Sequence, residues 1–196
     1  MSEICVACGK PTLTEQVVPF EFRHGQKHAT IQDCQTVCGT CGTVSYVGEQ
    51  ASRHELAVAA KIREMDGLLS PDELRNIRLK YAFRQTDLEA MLSVGPKTWT
   101  RWERGKVPQS KAADTLIRVL AANPGVARDL MEQAGIENPA ASSIFAGLEA
   151  DARRLATARL RADFSDRTTD ADAGRLATRA VEVVWAVRYG TGVTAA

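Results

Sequence analysis

The chain has 196 residues, room for one large domain or two to three small ones, and its 25 basic and 24 acidic residues balance so closely that the total charge implies nothing about partners. No uninterrupted apolar run approaches the ~18–20 residues of a membrane helix, and the start Met1-Ser2-Glu3-Ile4-Cys5 has neither the basic nor the apolar region of a signal peptide. Five cysteines, four of them in two close pairs, suit a reducing compartment better than a disulfide scaffold, so a soluble cytoplasmic protein is expected.

The pairs are Cys5-Val6-Ala7-Cys8-Gly9 and Cys38-Gly39-Thr40-Cys41-Gly42. Thiolates three positions apart reach the same ion, and two such pairs complete a tetrahedral shell. A glycine after each second cysteine suits the positive φ of a tight turn. A redox Cys-x-x-Cys needs one pair on a βαβ unit, and no such unit is visible. Cys5, Cys8, Cys38 and Cys41 are therefore the expected ligands of one structural zinc per chain. With four sulfurs the shell is closed, which leaves no position for a catalytic water. Cys34 lies four residues before Cys38 and could enter a rival ligand set, but its spacing breaks the paired pattern and it reads as a small buried hydrophobe. His24, His28 and His54 are weaker ligand candidates, the first two reading as solvated hairpin residues.

Between the pairs, Glu15 to Arg23 is β-branched and aromatic, Ala29 to Val37 alternates weakly, and His24-Gly25-Gln26-Lys27 separates them. This predicts a β-hairpin whose ends bring the two knuckles together, as in a zinc ribbon. Pro19 makes the first strand an edge strand or marks a bulge. So small a module has little core of its own, which makes metal a condition of its folding.

A helix is expected from Ala51 to Met65, closed by Asp66-Gly67. Ser70-Pro71-Asp72-Glu73 starts the next, with a capping hydroxyl, a proline at the first helical position and a carboxylate in capping-box spacing. Short helices follow over Gln85–Leu92 and Lys97–Arg104, separated by Val94-Gly95-Pro96, then over Ser110–Ala122 and Pro124–Ala134. A turn between the second and third of five short helices is the helix-turn-helix pattern. Residues 70 to 135 carry 11 basic and 8 acidic groups, so the excess positive charge sits in this segment. Trp99 and Trp102 are expected in the core with Val94. That leaves Lys97, Thr98, Thr100, Arg101 and Arg104 outward, with the three cations at i, i+4 and i+7 on one stripe. Arginine there suits bidentate guanine recognition in a major groove, and Gln85 suits a phosphate contact.

Glu137-Asn138-Pro139 marks a boundary, beyond which Ser142–Arg161 and Thr169–Tyr189 read as Ala/Arg-rich helices. Their narrow stripes, Ile144/Leu148/Leu155 and Leu176/Val183/Val184/Val187, must be buried on each other, on the preceding domain or on a second chain. The expected class is α+β. A hairpin zinc-ribbon domain with a linker helix covers 1–68, an all-α Cro/C1-like helix-turn-helix domain 69–136, and a helical extension 137–196.

The cysteine pairs, Val18-Pro19-Phe20-Glu21-Phe22-Arg23, Gln85, the run from Lys97 to Gly105 and Thr115 to Leu120 together resemble the MqsA family of zinc-ribbon/helix-turn-helix antitoxins over about residues 1–133. The resemblance implies a homodimer held through the C-terminal domain, reading a palindromic operator, with zinc as a structural element only. It also implies an N-terminal domain able to bind and block a small ribonuclease toxin while the C-terminal domain represses the operon. Arg101 matches the family's base-reading arginine, whereas Lys97 stands where the family has asparagine, so the operator should differ. Residues 137–196 fall outside the pattern. The alternative is a stand-alone regulator of the same architecture, without a toxin. An enzyme is not expected: no Ser/His/Asp set, phosphate loop or open metal site is visible, and the deaminase signature is missing.

Overall fold

The computed structural model describes residues 4–164, with side chains described as far as Leu155. The chain forms two compact units. One comprises the residues up to Pro71 with Arg101–Gln109, the other Asp72–Thr100 with the residues from Ser110 onward.

In the first unit, β1 (Leu13–His24) and β2 (Lys27–Cys38) pair antiparallel in unbroken register from Leu13↔Cys38 to His24↔Lys27. Gly25-Gln26 closes the hairpin, with Gly25 at φ 59°, the left-handed geometry that fits the strand twist. The pairing thus runs beyond the predicted strands and ends against both knuckles. A two-residue strand, β3 (Val44–Ser45), adds to β2; nothing in so short a segment announces it. The order β1-β2-β3 leaves β1 at the edge, with Pro19 in register opposite Gln32, so the proline marks an edge strand and no bulge.

Val18, Phe20 and Phe22 alternate as half-buried residues, matched across the hairpin by Ile31 and Ala29. The helix α1 (Gln50–Asp66) packs on this sheet. Near its start the His54 ring meets Phe20 edge-on at 4.7 Å, and His54 Nδ1 lies 3.0 Å from Asp33. Asp33 is buried and also accepts hydrogen bonds from the Tyr46 hydroxyl at 2.6 Å and the Gln35 amide at 2.8 Å. Burial alone would raise its carboxyl, but Tyr46, Gln35 and His54 outweigh it and hold Asp33 below the ordinary carboxylate value. At the far end of α1, His24 Nε2 and the Lys27 ammonium lie 3.0 and 3.6 Å from the Asp66 carboxylate. Hairpin and helix are therefore joined at both ends, which compensates for a thin apolar core. Gly67, at φ 64°, ends the helix: its N–H bonds Glu64 O and that of Leu68 bonds Arg63 O.

The chain continues through α2 (Pro71–Lys80), α3 (Gln85–Met91), α4 (Thr98–Glu103), α5 (Lys111–Ala122), α6 (Pro124–Gln133) and α7 (Pro139–Phe164). The core of the second unit is Leu74, Tyr81, Phe83, Leu88, Trp99, Ile117, Leu120, Ala127 and Met131, each 4 % exposed or less. The buried Tyr81 hydroxyl donates to Leu120 O and Ala121 O at the end of α5, satisfying carbonyls that the helix leaves open. Ser110 caps α5 by accepting from Ala113 N–H.

The expected turn lies between α3 and α4. Its left-handed residues are Ser93 (φ 52°) and Lys97 (φ 63°), while Gly95 has no positive φ. Ser93 N–H bonds Ala90 O and Val94 N–H bonds Glu89 O, the arrangement usually given to glycine at a helix end.

The helix α7 begins before the predicted Ser142, at Pro139, because Asn138 Oδ1 caps it by accepting from Ala141 N–H. Its anchor also differs. Leu148 and Leu155 are 40 % and 74 % exposed, whereas Ala141 and Phe145 are buried. The Phe145 ring lies 5.3 Å from Tyr81 and 5.9 Å from Phe83, so one aromatic holds the helix rather than a leucine stripe. The predicted helix Thr169–Tyr189, with Leu176, Val183, Val184 and Val187, lies outside the described residues. Among the described residues, no helix is long and apolar enough to cross a membrane.

Candidate metal centre and nucleic-acid interface

The two knuckles are built alike. In the first, Gly9 N–H bonds Cys5 O at 2.8 Å and Cys5 N–H bonds Lys10 O at 3.0 Å. In the second, Gly42 N–H bonds Cys38 O at 2.8 Å and Cys38 N–H bonds Thr43 O at 2.9 Å. Gly9 and Gly42 take φ of 69° and 72°, the left-handed turn anticipated from their positions. Gly39 N–H reaches Thr12 O at 2.8 Å and ties one knuckle to the other.

Cys5, Cys8, Cys38 and Cys41 converge, all four sulfurs lying within 4.8 Å of one another. Cys5–Cys41 and Cys8–Cys38 are 3.7 and 3.6 Å apart. These separations are too long for a disulfide. They match the sulfur–sulfur edge of about 3.8 Å of a tetrahedral site with zinc–sulfur bonds of about 2.3 Å. The donor set therefore fits a closed four-thiolate metal centre.

The surroundings sort the thiols by charge. The Thr12 hydroxyl, 3.3 Å from Cys38 Sγ, and the N–H groups of Cys41 and Thr40 pull Cys38 down to about 5. The Thr43 hydroxyl, 3.2 Å from Cys41 Sγ, likewise lowers Cys41. At Cys8 the Lys10 N–H lowers the thiol, but burial and the neighbouring sulfurs outweigh it and push Cys8 up to about 12. Four crowded sulfurs cannot all carry negative charge unless a cation is shared among them. Thr12 and Thr43 were not anticipated as part of the centre; Thr43, two residues after Cys41, carried a signal only in its closeness to the knuckle.

Cys34 takes no part in the cluster. It is half-buried rather than buried, and its thiol donates to Glu15 Oε1 at 2.7 Å, which raises its pKa. His24 and His54 face Asp66 and Asp33, and His28 is exposed. None of the three joins the sulfurs.

The residues expected to face DNA are placed as follows. Lys97 precedes α4 and Arg104 follows its last residue, so the stripe counted along one helix from 97 to 104 does not hold as such. Arg101 lies in the last turn of α4. The residues Lys97, Arg101 and Arg104 are exposed, and their side chains have no hydrogen-bond or ion-pair partner among the described residues. Thr98 and Thr100 are half-buried, and the Thr100 hydroxyl donates to Gln85 Oε1 at 2.7 Å. Trp99 and Trp102 are buried as anticipated. The first turn of α4 is held by Glu89, a buried carboxylate that accepts from Trp99 N–H at 3.0 Å. At the other end, Gly105 N–H bonds Trp102 O and Lys106 N–H bonds Arg101 O, with Gly105 at φ 70°. Arg63 lies against this loop: it is a buried guanidinium on α1 that nothing in the local pattern marked out.

No curated protein matches the chain. A family model described as the antitoxin component of a bacterial toxin–antitoxin system, MqsA, matches residues 3–131, the greater part of the sequence and both candidate sites. The chain belongs to the MqsA antitoxin family.

Proposed function

We propose that this protein is a sequence-specific, double-stranded-DNA-binding transcriptional repressor and the antitoxin of its own operon. The ribbon of residues 1–68 holds one structural zinc through Cys5, Cys8, Cys38 and Cys41 and binds a small ribonuclease toxin. Residues 69–136 enter the major groove with α4, and the homodimer sets two such helices on a palindromic operator. Arg101 reads guanine O6 and N7, Lys97, Thr98, Thr100 and Arg104 line the approach, and Gln85 meets a phosphate. The helix α7 extends the helical surface beyond residue 137. The protein works in the cytoplasm by binding, without catalysing a reaction.

The observation that carries this reading is Arg101, exposed on the helix that follows the α3–α4 turn, its side chain without a partner among the described residues. A basic group at that place is left without an internal use, and a guanidinium is the side chain best suited to guanine. The test is a titration of wild-type protein on the DNA preceding its own gene and on a scrambled duplex of equal composition. Specific binding should exceed non-specific binding by about 10³-fold or more at physiological salt. Equal affinities would refute sequence-specific reading. The toxin role is tested by co-expressing the adjacent reading frame, whose growth arrest this protein should relieve.

A further inference from the structure

We infer that Arg63 is a positioning residue for base reading: from α1 it sets the loop that ends the reading helix and thereby orients Arg101. The inference rests on the proposed role of α4 in DNA recognition.

Arg63 is 6 % exposed, yet its partners are neutral. One terminal nitrogen, Nη2, donates to Gly105 O at 2.6 Å and to Val107 O at 3.2 Å, and among the described residues no carboxylate pairs with the guanidinium. Its Nε is buried without a partner among the described residues. Taking a full charge out of water against two carbonyls is costly. A loop that needed only closing would be served by a neutral donor. The two N–H groups of Nη2, held in the guanidinium plane, instead fix the directions in which the two carbonyls stand.

The loop packs directly against Arg63, at ordinary van der Waals distance. A Cβ placed on Gly105 would lie 3.5 Å from Pro71 Cγ and 3.7 and 3.8 Å from the two Arg63 terminal nitrogens, in a conformation, φ 70°, that side chains rarely adopt. Gln109 Nε2 donates to Leu69 O at 2.9 Å and fastens the loop a second time. The same loop supplies the N–H of Lys106 that bonds Arg101 O, so the backbone of Arg101 is one hydrogen bond from the segment that Arg63 holds. Arg63 is itself fixed, since Leu68 N–H bonds its carbonyl and α1 is joined to the hairpin at Asp33 and Asp66. Arg63, Arg101, Arg104 and this loop all lie in the same compact unit as the ribbon.

The experiment measures Arg63→Lys, Arg63→Met and Gly105→Ala against wild type on the promoter duplex and the scrambled duplex, with thermal melts and metal content as controls. Each is also combined with Arg101→Ala. Arg63→Lys keeps the charge and loses the planar pair of N–H donors on Nη2. It should weaken promoter binding about tenfold or more while leaving scrambled DNA within about twofold, because a misaligned guanidinium forfeits base discrimination but not charge attraction. Arg63→Met and Gly105→Ala should follow the same pattern, and none should weaken binding further once Arg101 is alanine. Promoter affinity unchanged in folded Arg63 variants would overturn the inference. So would equal losses on both duplexes, which would place Arg63 on phosphate, or losses fully additive with Arg101→Ala. If both Arg63 and Gly105 variants fail to fold, Arg63 is a stability residue and the positioning role is likewise overturned. Absence of promoter preference in wild type refutes the DNA-reading proposal itself, a distinct result.

Discussion

Zinc affinity should rise steeply with pH, and the structure supplies the size of the effect. Zinc takes each cysteine as thiolate, so any proton that a thiol holds in the metal-free protein must leave on binding. Cys38, at about 5, has already lost its proton at neutral pH and contributes to the dependence only below that value. Cys8, pushed up to about 12, keeps its proton across the whole neutral range and releases it to the solution when metal binds. The zinc-bound form therefore carries at least one proton fewer, and raising the pH favours it. Between about pH 6 and 8 the association constant should increase at least tenfold per pH unit. The same site predicts that Thr12→Val, which removes the hydroxyl 3.3 Å from Cys38 Sγ, weakens zinc about 10–100-fold. Cys38→Ser, which removes a ligand outright, should weaken it more and unfold the hairpin. The second unit should stay folded, since its core shares no residue with the cluster. Competition with a chromophoric chelator at several pH values gives the slope. A pH-independent affinity would refute the proton assignment, and full-affinity zinc in Cys38→Ser would refute the ligand set.

Phe145→Ala should destabilise the second unit by about 3–5 kcal/mol in denaturant titration, as for a buried aromatic that touches two others; a loss below about 1 kcal/mol would mean that α7 is held elsewhere. Ser93→Gly should stabilise it by about 0.5–1 kcal/mol, because relief of a left-handed residue exceeds the added chain entropy of glycine. Its melting temperature should rise by a few degrees. Gln85→Ala should weaken promoter and scrambled DNA about equally, as loss of a phosphate contact would; a loss confined to the promoter would place Gln85 on a base.

What could be read from the chain alone was mostly short-range. The cysteine spacing made each knuckle legible, because each closes over a few residues, and the hairpin between them brings the two pairs together. The hairpin followed from a β-branched, aromatic run and a weakly alternating one around a glycine, and the helix start at Pro71 followed from capping chemistry. Long-range partners were not legible. Phe145 looked like one apolar residue in an Ala-rich helix, and the leucines beside it had the better spacing. Its importance comes from Tyr81 and Phe83, far away in sequence. The turn itself was legible at Val94-Gly95-Pro96, but not that its left-handed residues would be Ser93 and Lys97. Nothing local singles out Arg63, because the carbonyls it meets at Gly105 and Val107 lie more than 40 residues on.

The claim that α4 reads bases is tested most directly by Arg101→Ala, titrated at fixed salt on the promoter duplex and on scrambled DNA. A lost bidentate guanine contact predicts about 1–3 kcal/mol on the promoter, roughly 5- to 150-fold, and much less on scrambled sequence. Equal losses on the two duplexes would put Arg101 on the phosphate backbone and contradict base reading by this helix.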